Sequence, residues 1–136
     1  ETSAIEKMDV ARNFIESMRK QGWRFALDDF GTGFSSFSQL KHLPVDIVKI
    51  DGQFVKDMTT DPIDRAIVVA INEIAHSLGM ETVAEYVETA ETLQLLSECE
   101  VDLAQGYYVC EPMVNIDKRV DSHSEMRRLT SRRGLG

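Results

Sequence analysis

The chain has 136 residues, 43% of them hydrophobic and 28% charged, a balance that fits one globular domain and excludes a disordered tract. No stretch approaches the roughly 20 apolar residues of a spanning helix, and no basic-then-apolar leader follows the polar opening, so a cytoplasmic location without membrane contact is the expectation. Residues 1–114 carry 9 basic against 20 acidic groups and residues 115–136 carry 6 against 3, which gives the net charge of −8 and argues against duplex nucleic acid as a partner.

Ile5, Met8, Ala11, Ile15 and Met18 recur at helical steps, so the first element reads as an amphipathic helix closed by Gly22. Trp23 to Leu27 reads as a strand ending in Asp28-Asp29, followed by a Gly31-Thr32-Gly33 loop. A short helix capped by Ser35 or Ser36 runs through Leu40 and is stopped by Pro44; Val45 to Ile50 is a second strand, ending at Asp51-Gly52. Asp61-Pro62 predicts a helix start, with Ile63, Ile67, Ile71, Ile74 and Leu78 as its buried face and Gly79 at its end. Glu81 to Glu85 is a third strand, Thr89 to Ser97 a third main helix and Leu103 to Val109 a fourth strand, while Ile116 to Leu129 reads as one more helix. Cys99 and Cys110 have no metal-ligand spacing with His42, His76 or His123, so reduced thiols and no structural zinc are expected.

Alternating helices and strands with short connections predict an α/β fold of about four parallel βα units. Polar residues fall at successive strand ends: Asp28 and Asp29, Lys49 and Asp51, Glu85, then Gln105. That is the end where α/β barrels keep their chemistry, and since closure takes eight strands and about 250 residues, the chain reads as the C-terminal half of a (β/α)₈ TIM-type barrel. An Asp pair after a strand is often only a turn or a cap, but acids at several neighbouring strand ends converge on one cleft. All-oxygen ligands select hard cations, Mg²⁺, Mn²⁺ or Ca²⁺. Lys49 and Asp51, two apart on a strand, share a face, and an ammonium beside the acids suits an anionic substrate. The chemistry suggested is metal-assisted attack of water on a phosphate ester, with one or two ions taking part.

Leu27-Asp28-Asp29-Phe30-Gly31-Thr32-Gly33-Phe34-Ser35-Ser36, Val48-Lys49-Ile50-Asp51-Gly52, Val83-Ala84-Glu85-Tyr86-Val87-Glu88 and Ala104-Gln105-Gly106-Tyr107-Tyr108 resemble, in order and spacing, the bacterial EAL domain. The resemblance implies a phosphodiesterase that hydrolyses cyclic di-GMP to pGpG with a two-metal Mg²⁺ or Mn²⁺ site. It implies that Asp28 bridges two ions, that Asp29 and Glu85 are further metal ligands, and that Lys49 steadies the attacking water or the phosphate with Asp51 in support. Glu88, Gln105 and Pro112 correspond to positions on the substrate side. The segment from Gly31 to Leu40, with Gly31, Thr32 and Gly33, resembles a loop that couples metal, substrate and dimerisation, and Glu1 corresponds to a residue that holds it. Two departures accompany the matches: the segments that in the family precede Glu1 and supply three further metal ligands are not in the sequence, and Tyr86 stands where the family most often has Gly.

The expected organisation is therefore a partial EAL domain over 1–114 and a helical, basic tail over 115–136, inactive by itself and catalytic within an intact domain. With Val83 and Phe25 expected to be left partly uncovered, a homodimer is the predicted assembly. A degenerate EAL domain that binds cyclic di-GMP or a protein partner without hydrolysis is the alternative. A phosphoacceptor receiver domain fits less well, because Lys49 precedes Asp51 on one strand whereas a receiver carries its lysine on a separate late strand.

Overall fold

The computed structural model describes residues 2–32, 37–106 and 126–128, and for 2–5 and 126–128 the backbone only. Helix α1 (Thr2–Arg19) leads into strand β1 (Ala26–Phe30), followed by α2 (Phe37–His42), β2 (Ile47–Ile50), α3 (Gly52–Lys56), α4 (Pro62–Ser77), β3 (Glu81–Ala84), α5 (Ala90–Glu98), β4 (Leu103–Gln105) and β5 (Met126–Arg128). The sheet order is β1-β2-β3-β4-β5, with the first four strands parallel and β5 antiparallel to β4. This is the α/β pattern expected of consecutive βα units.

Local chemistry explains most boundaries. Asp61 caps α4 by accepting hydrogen bonds from the Ile63 and Asp64 N–H groups at 2.8 and 3.4 Å, and Pro62 takes the first helical position, where a missing N–H costs nothing. Thr89 caps α5 through the Thr92 N–H. Asp46 joins the entries of β1 and β2: its carboxylate accepts the Phe25 N–H at 2.9 Å and meets Arg19 at 3.0 Å.

Alternation along the strands sorts side chains into two layers. Phe30, Val48, Ile50, Ala84 and Ala104 face the helices and pack with Leu40, Val55, Val68, Ile71, Ala75 and Leu96, all nearly or wholly buried. Lys49 and Val83, paired in register on β2 and β3, point to the opposite face.

Several expectations change. Helix α3, which the sequence pattern does not predict, is a single short turn capped by Asp51, too brief to show periodicity. Along α4 the buried face is Val68, Ile71, Asn72 and Ala75, whereas Ile63 is 71% exposed and Leu78 is exposed as well. A hydrophobic criterion passes over Asn72, which is buried because its amide is satisfied. Val83 is fully buried rather than left in water, and Phe25 is half-buried, edge-on to Phe14 with ring centroids 6.1 Å apart. Residues 126–128, placed in a C-terminal helix by the sequence pattern, form an antiparallel strand instead, because their backbone groups pair with the open side of β4. The rest of that predicted helix, the continuation of the fourth strand to Val109, and the Ser35 and Ser36 caps lie outside the described residues.

A polar network locks the N-terminal ends of β3 and β4. Asp102 accepts the Thr82 N–H at 2.8 Å and meets His76 Nε2 at 2.7 Å, Thr82 Oγ1 donates to Asn72 Oδ1 at 2.6 Å, and Asn72 Nδ2 donates to the Cys99 carbonyl at 2.9 Å. Thr82 is fully buried, so its N–H cannot turn to water if the acceptor is removed. Asp102→Ala is expected to lower stability by about 1–3 kcal/mol, the cost of an unsatisfied buried donor, and Asp102→Asn, which keeps an acceptor, by less. Urea unfolding followed by circular dichroism checks this; equal midpoints for wild type and Asp102→Ala would contradict it.

Candidate functional site

At the C-terminal ends of the parallel strands the ladder continues past the strands themselves. The Asp51 N–H donates to the Phe30 carbonyl at 3.2 Å, and the Glu85 N–H donates to the Ile50 carbonyl at 3.4 Å. The backbone at each acidic position is thus held by its neighbour.

β1 departs from regular pairing at this end. Leu27 pairs with Val48 and Phe30 with Ile50, so Asp28 and Asp29 together oppose Lys49 alone. Two residues against one is a β-bulge, and Asp29 adopts the left-handed region with φ of 52°. On a regular strand adjacent side chains point to opposite faces; the bulge turns both carboxylates into the same group. Local bonds support this turn: the Asp29 N–H donates to Asp28 Oδ1 at 2.9 Å, and Thr32 Oγ1 donates to the Asp29 carbonyl at 2.9 Å. Gly31, with φ of 108°, follows, and a Cβ on it would lie 2.6 Å from the Phe54 ring. Only glycine satisfies both the backbone angle and the contact.

Asp28, Asp29 and Glu85 each bring a carboxylate oxygen to within 4.8 Å of the others. Lys49 Nζ stands 3.9 Å from Glu85 Oε1, both side chains about one-fifth exposed. Burial, then the hydrogen bond and the charge of Asp28, push the Glu85 carboxyl from 4.5 up to about 7, and Lys49 opposes the rise only in part. One ammonium does not balance three carboxylates in this space. The oxygen-only donor set fits a hard divalent cation, so the cluster could hold a metal ion, with Asp28, Asp29 and Glu85 as its protein ligands.

The remaining positions singled out from the sequence are distributed around this group. Asp51 stands apart from the three-carboxylate cluster: its Oδ1 accepts the Gln53 N–H at 2.9 Å and caps α3. Gln105 ends β4, and its carbonyl accepts the Val87 N–H at 3.1 Å, which joins the β3 loop to β4. Its side-chain Oε1 is buried without a hydrogen-bond partner among the described residues. Glu88 is exposed, and Glu1, Gly33 and Pro112 lie outside the described residues. Two contributors had escaped notice in the sequence, the bulge and the α3 cap. The adjacent acids Asp28-Asp29 before Gly31 were the available sign of a bulge, since glycine at such a place often marks a change of pairing.

Comparison with known proteins gives a consistent placement. Residues 1–112 match the family described as EAL domain. The chain is 45% identical over 112 residues to the cyclic di-GMP phosphodiesterase PdeB of Shewanella oneidensis, an alignment that covers 82% of this chain and 13% of PdeB. Among solved structures, the EAL domain of Mycobacterium smegmatis DcpA superposes with a TM-score of 0.71 at 39% identity, covering 74% of this chain and 45% of that one. The FimX EAL domain of Pseudomonas aeruginosa, solved bound to c-di-GMP, gives 0.70 at 27% identity, covering 80% and 45%. The chain thus spans under half of each of these proteins. It belongs to the EAL domain family.

Proposed function

We propose that residues 1–114 form part of an EAL phosphodiesterase site which, in the full-length protein, hydrolyses cyclic di-GMP to pGpG. The observation that carries this reading is the convergence of Asp28, Asp29 and Glu85 within 4.8 Å, with Lys49 beside them, at the strand ends. The identity with PdeB, named for this activity, supports the substrate. Mg²⁺ or Mn²⁺, as a pair of ions, is the cofactor assigned: when bound, such ions lower the pKa of water and neutralise charge on the phosphate.

The chain's own residues have separable tasks. Asp28 and Asp29, turned together by the bulge, and Glu85, delivered by β3, hold the cation site. Lys49 brings an ammonium to the same group, where it opposes the charge of a phosphodiester and of the transition state derived from it. Asp51 fixes the turn after β2 by capping α3, which positions Lys49 from behind. Gln105, whose buried Oε1 has no hydrogen-bond partner among the described residues, is assigned to substrate contacts together with Glu88 and Pro112. Gly31, Thr32, Gly33 and Glu1 are assigned to stabilising the loop that follows the acids; Thr32 Oγ1 donates to the Asp29 carbonyl at 2.9 Å, which supports this for Thr32. Hydrolysis adds water across one phosphodiester: a P–O bond to water forms, the P–O3′ bond breaks, and the 3′ oxygen leaves with a proton.

Assembly and location belong to the same reading. A homodimer is part of it, supported by Val10, Phe14 and Trp23, each more than half exposed. A cytoplasmic location is part of the same proposal; no helix among the described residues is long and apolar enough to cross a membrane. Residues 115–136 are assigned to a basic C-terminal segment, of which residues 126–128 pair with β4.

Two substitutions, together with the behaviour of the wild type, test the function. In the full-length protein with Mn²⁺, Asp28→Asn is expected to abolish production of pGpG measured by chromatography. Turnover equal to wild type would remove Asp28 from the site. Lys49→Ala is expected to slow turnover by roughly 10²- to 10³-fold with the fold retained by circular dichroism, the usual scale for losing one charge-stabilising group. Unchanged turnover would make Lys49 structural. Binding of cyclic di-GMP by the wild type without turnover would favour the non-catalytic receptor instead. Residues 1–136 alone are expected to be inactive, because two-ion chemistry takes more ligands than the three carboxylates assembled here.

A further inference from the structure

Tyr86 stands between Glu85 and the fully buried Val87, and its backbone is held in the left-handed region with φ of 57°. A bulky residue persists there only when its surroundings over-determine it, and such strain concentrates at functional sites. The surroundings do so: the Glu85 N–H is bonded to the Ile50 carbonyl on one side and the Val87 N–H to the Gln105 carbonyl on the other. The side chain has a matching constraint. Its ring is laid across buried Gly52, at the turn after β2, so closely that a Cβ on Gly52 would meet the ring Cδ2 and Cγ atoms. Gly52 therefore backs one side of an aromatic ring that remains 58% exposed, one residue from a carboxylate of the cluster.

An exposed ring backed on one side and set beside a phosphate-handling site is what a nucleobase needs in order to stack, since every base presents a π-face and a ring packed against Gly52 has less freedom to lose on binding. We propose that Tyr86 is a substrate-contacting residue, a platform on which one purine base of the dinucleotide stacks while the phosphodiester occupies the carboxylate and lysine group. This rests on the cyclic di-GMP reading above. It separates roles within the site: the cluster handles the phosphate, and Tyr86 contributes recognition of the base.

The test uses the full-length protein with Mn²⁺ and compares wild type, Tyr86→Phe and Tyr86→Gly. Glycine suits the left-handed backbone, so that variant removes the ring without adding strain. For Tyr86→Gly the KM for cyclic di-GMP is expected to rise roughly 5- to 150-fold, the range of base–aromatic stacking, with kcat and Mn²⁺ affinity within about twofold of wild type. Tyr86→Phe, which keeps the ring, is expected to stay within about twofold in KM. An unchanged KM in Tyr86→Gly would overturn the platform while leaving the hydrolytic reading in place. A fall in kcat and Mn²⁺ affinity at constant KM would overturn it in favour of a brace between β2 and β3. A wild type that neither binds nor cleaves cyclic di-GMP would overturn the functional reading and this proposal with it.

Discussion

The site depends on one irregularity, the bulge that sets Asp28 and Asp29 together against Lys49. In an unbroken strand two consecutive carboxylates diverge, one into the helix-facing core and the other away from it. Burying one of them among Phe30, Val48 and Ile50 would cost several kcal/mol with no partner available. The bulge removes that conflict and creates another, since it packs two carboxylates beside Glu85. Burial, and after it the hydrogen bond and charge of Asp28 within this crowd, raise the Glu85 carboxyl to about 7. A cation resolves what Lys49 resolves only in part.

The parallel sheet divides its two ends between different tasks. At the N-terminal ends, Asp102, Thr82, His76 and Asn72 satisfy one another, and Asp46 ties the entries of β1 and β2 together. At the C-terminal ends the polar groups converge with their needs incompletely met: three carboxylates share one ammonium, and Gln105 Oε1 has no partner among the described residues. Two non-glycine residues in left-handed backbone, Asp29 and Tyr86, also lie at this end. Closed polar networks favour a rigid frame, whereas open ones present groups to a ligand. The frame at one end makes the strain at the other tolerable.

The sequence was informative where a local rule acts alone. Asp61-Pro62 and Thr89 are helix starts by capping chemistry, and the structure uses both as caps. The acids at strand ends were legible because a parallel βα pattern aligns those ends whatever the details of packing. It was less informative where two elements had to be known together. The buried face of α4 includes Asn72, which belongs in the core only because Thr82 and the Cys99 carbonyl meet its amide. The bulge is a property of the β1–β2 register, which no single strand carries. Asp51 shares strand-end position with Lys49, yet the short α3 that follows takes up its carboxylate as a cap. The strand at 126–128 exists through pairing with β4, so its own residues gave no sign of it.

The central claim is that the bulge and β3 together build a cation site, and calorimetric titration of Mn²⁺ into the protein tests it without relying on turnover. Saturable binding is expected for the wild type, weakened at least about tenfold, or ~1.4 kcal/mol, by Asp28→Asn and likewise by Glu85→Gln, with the fold unchanged. Equal Mn²⁺ affinity in all three proteins, or no saturable binding in any, would contradict the account.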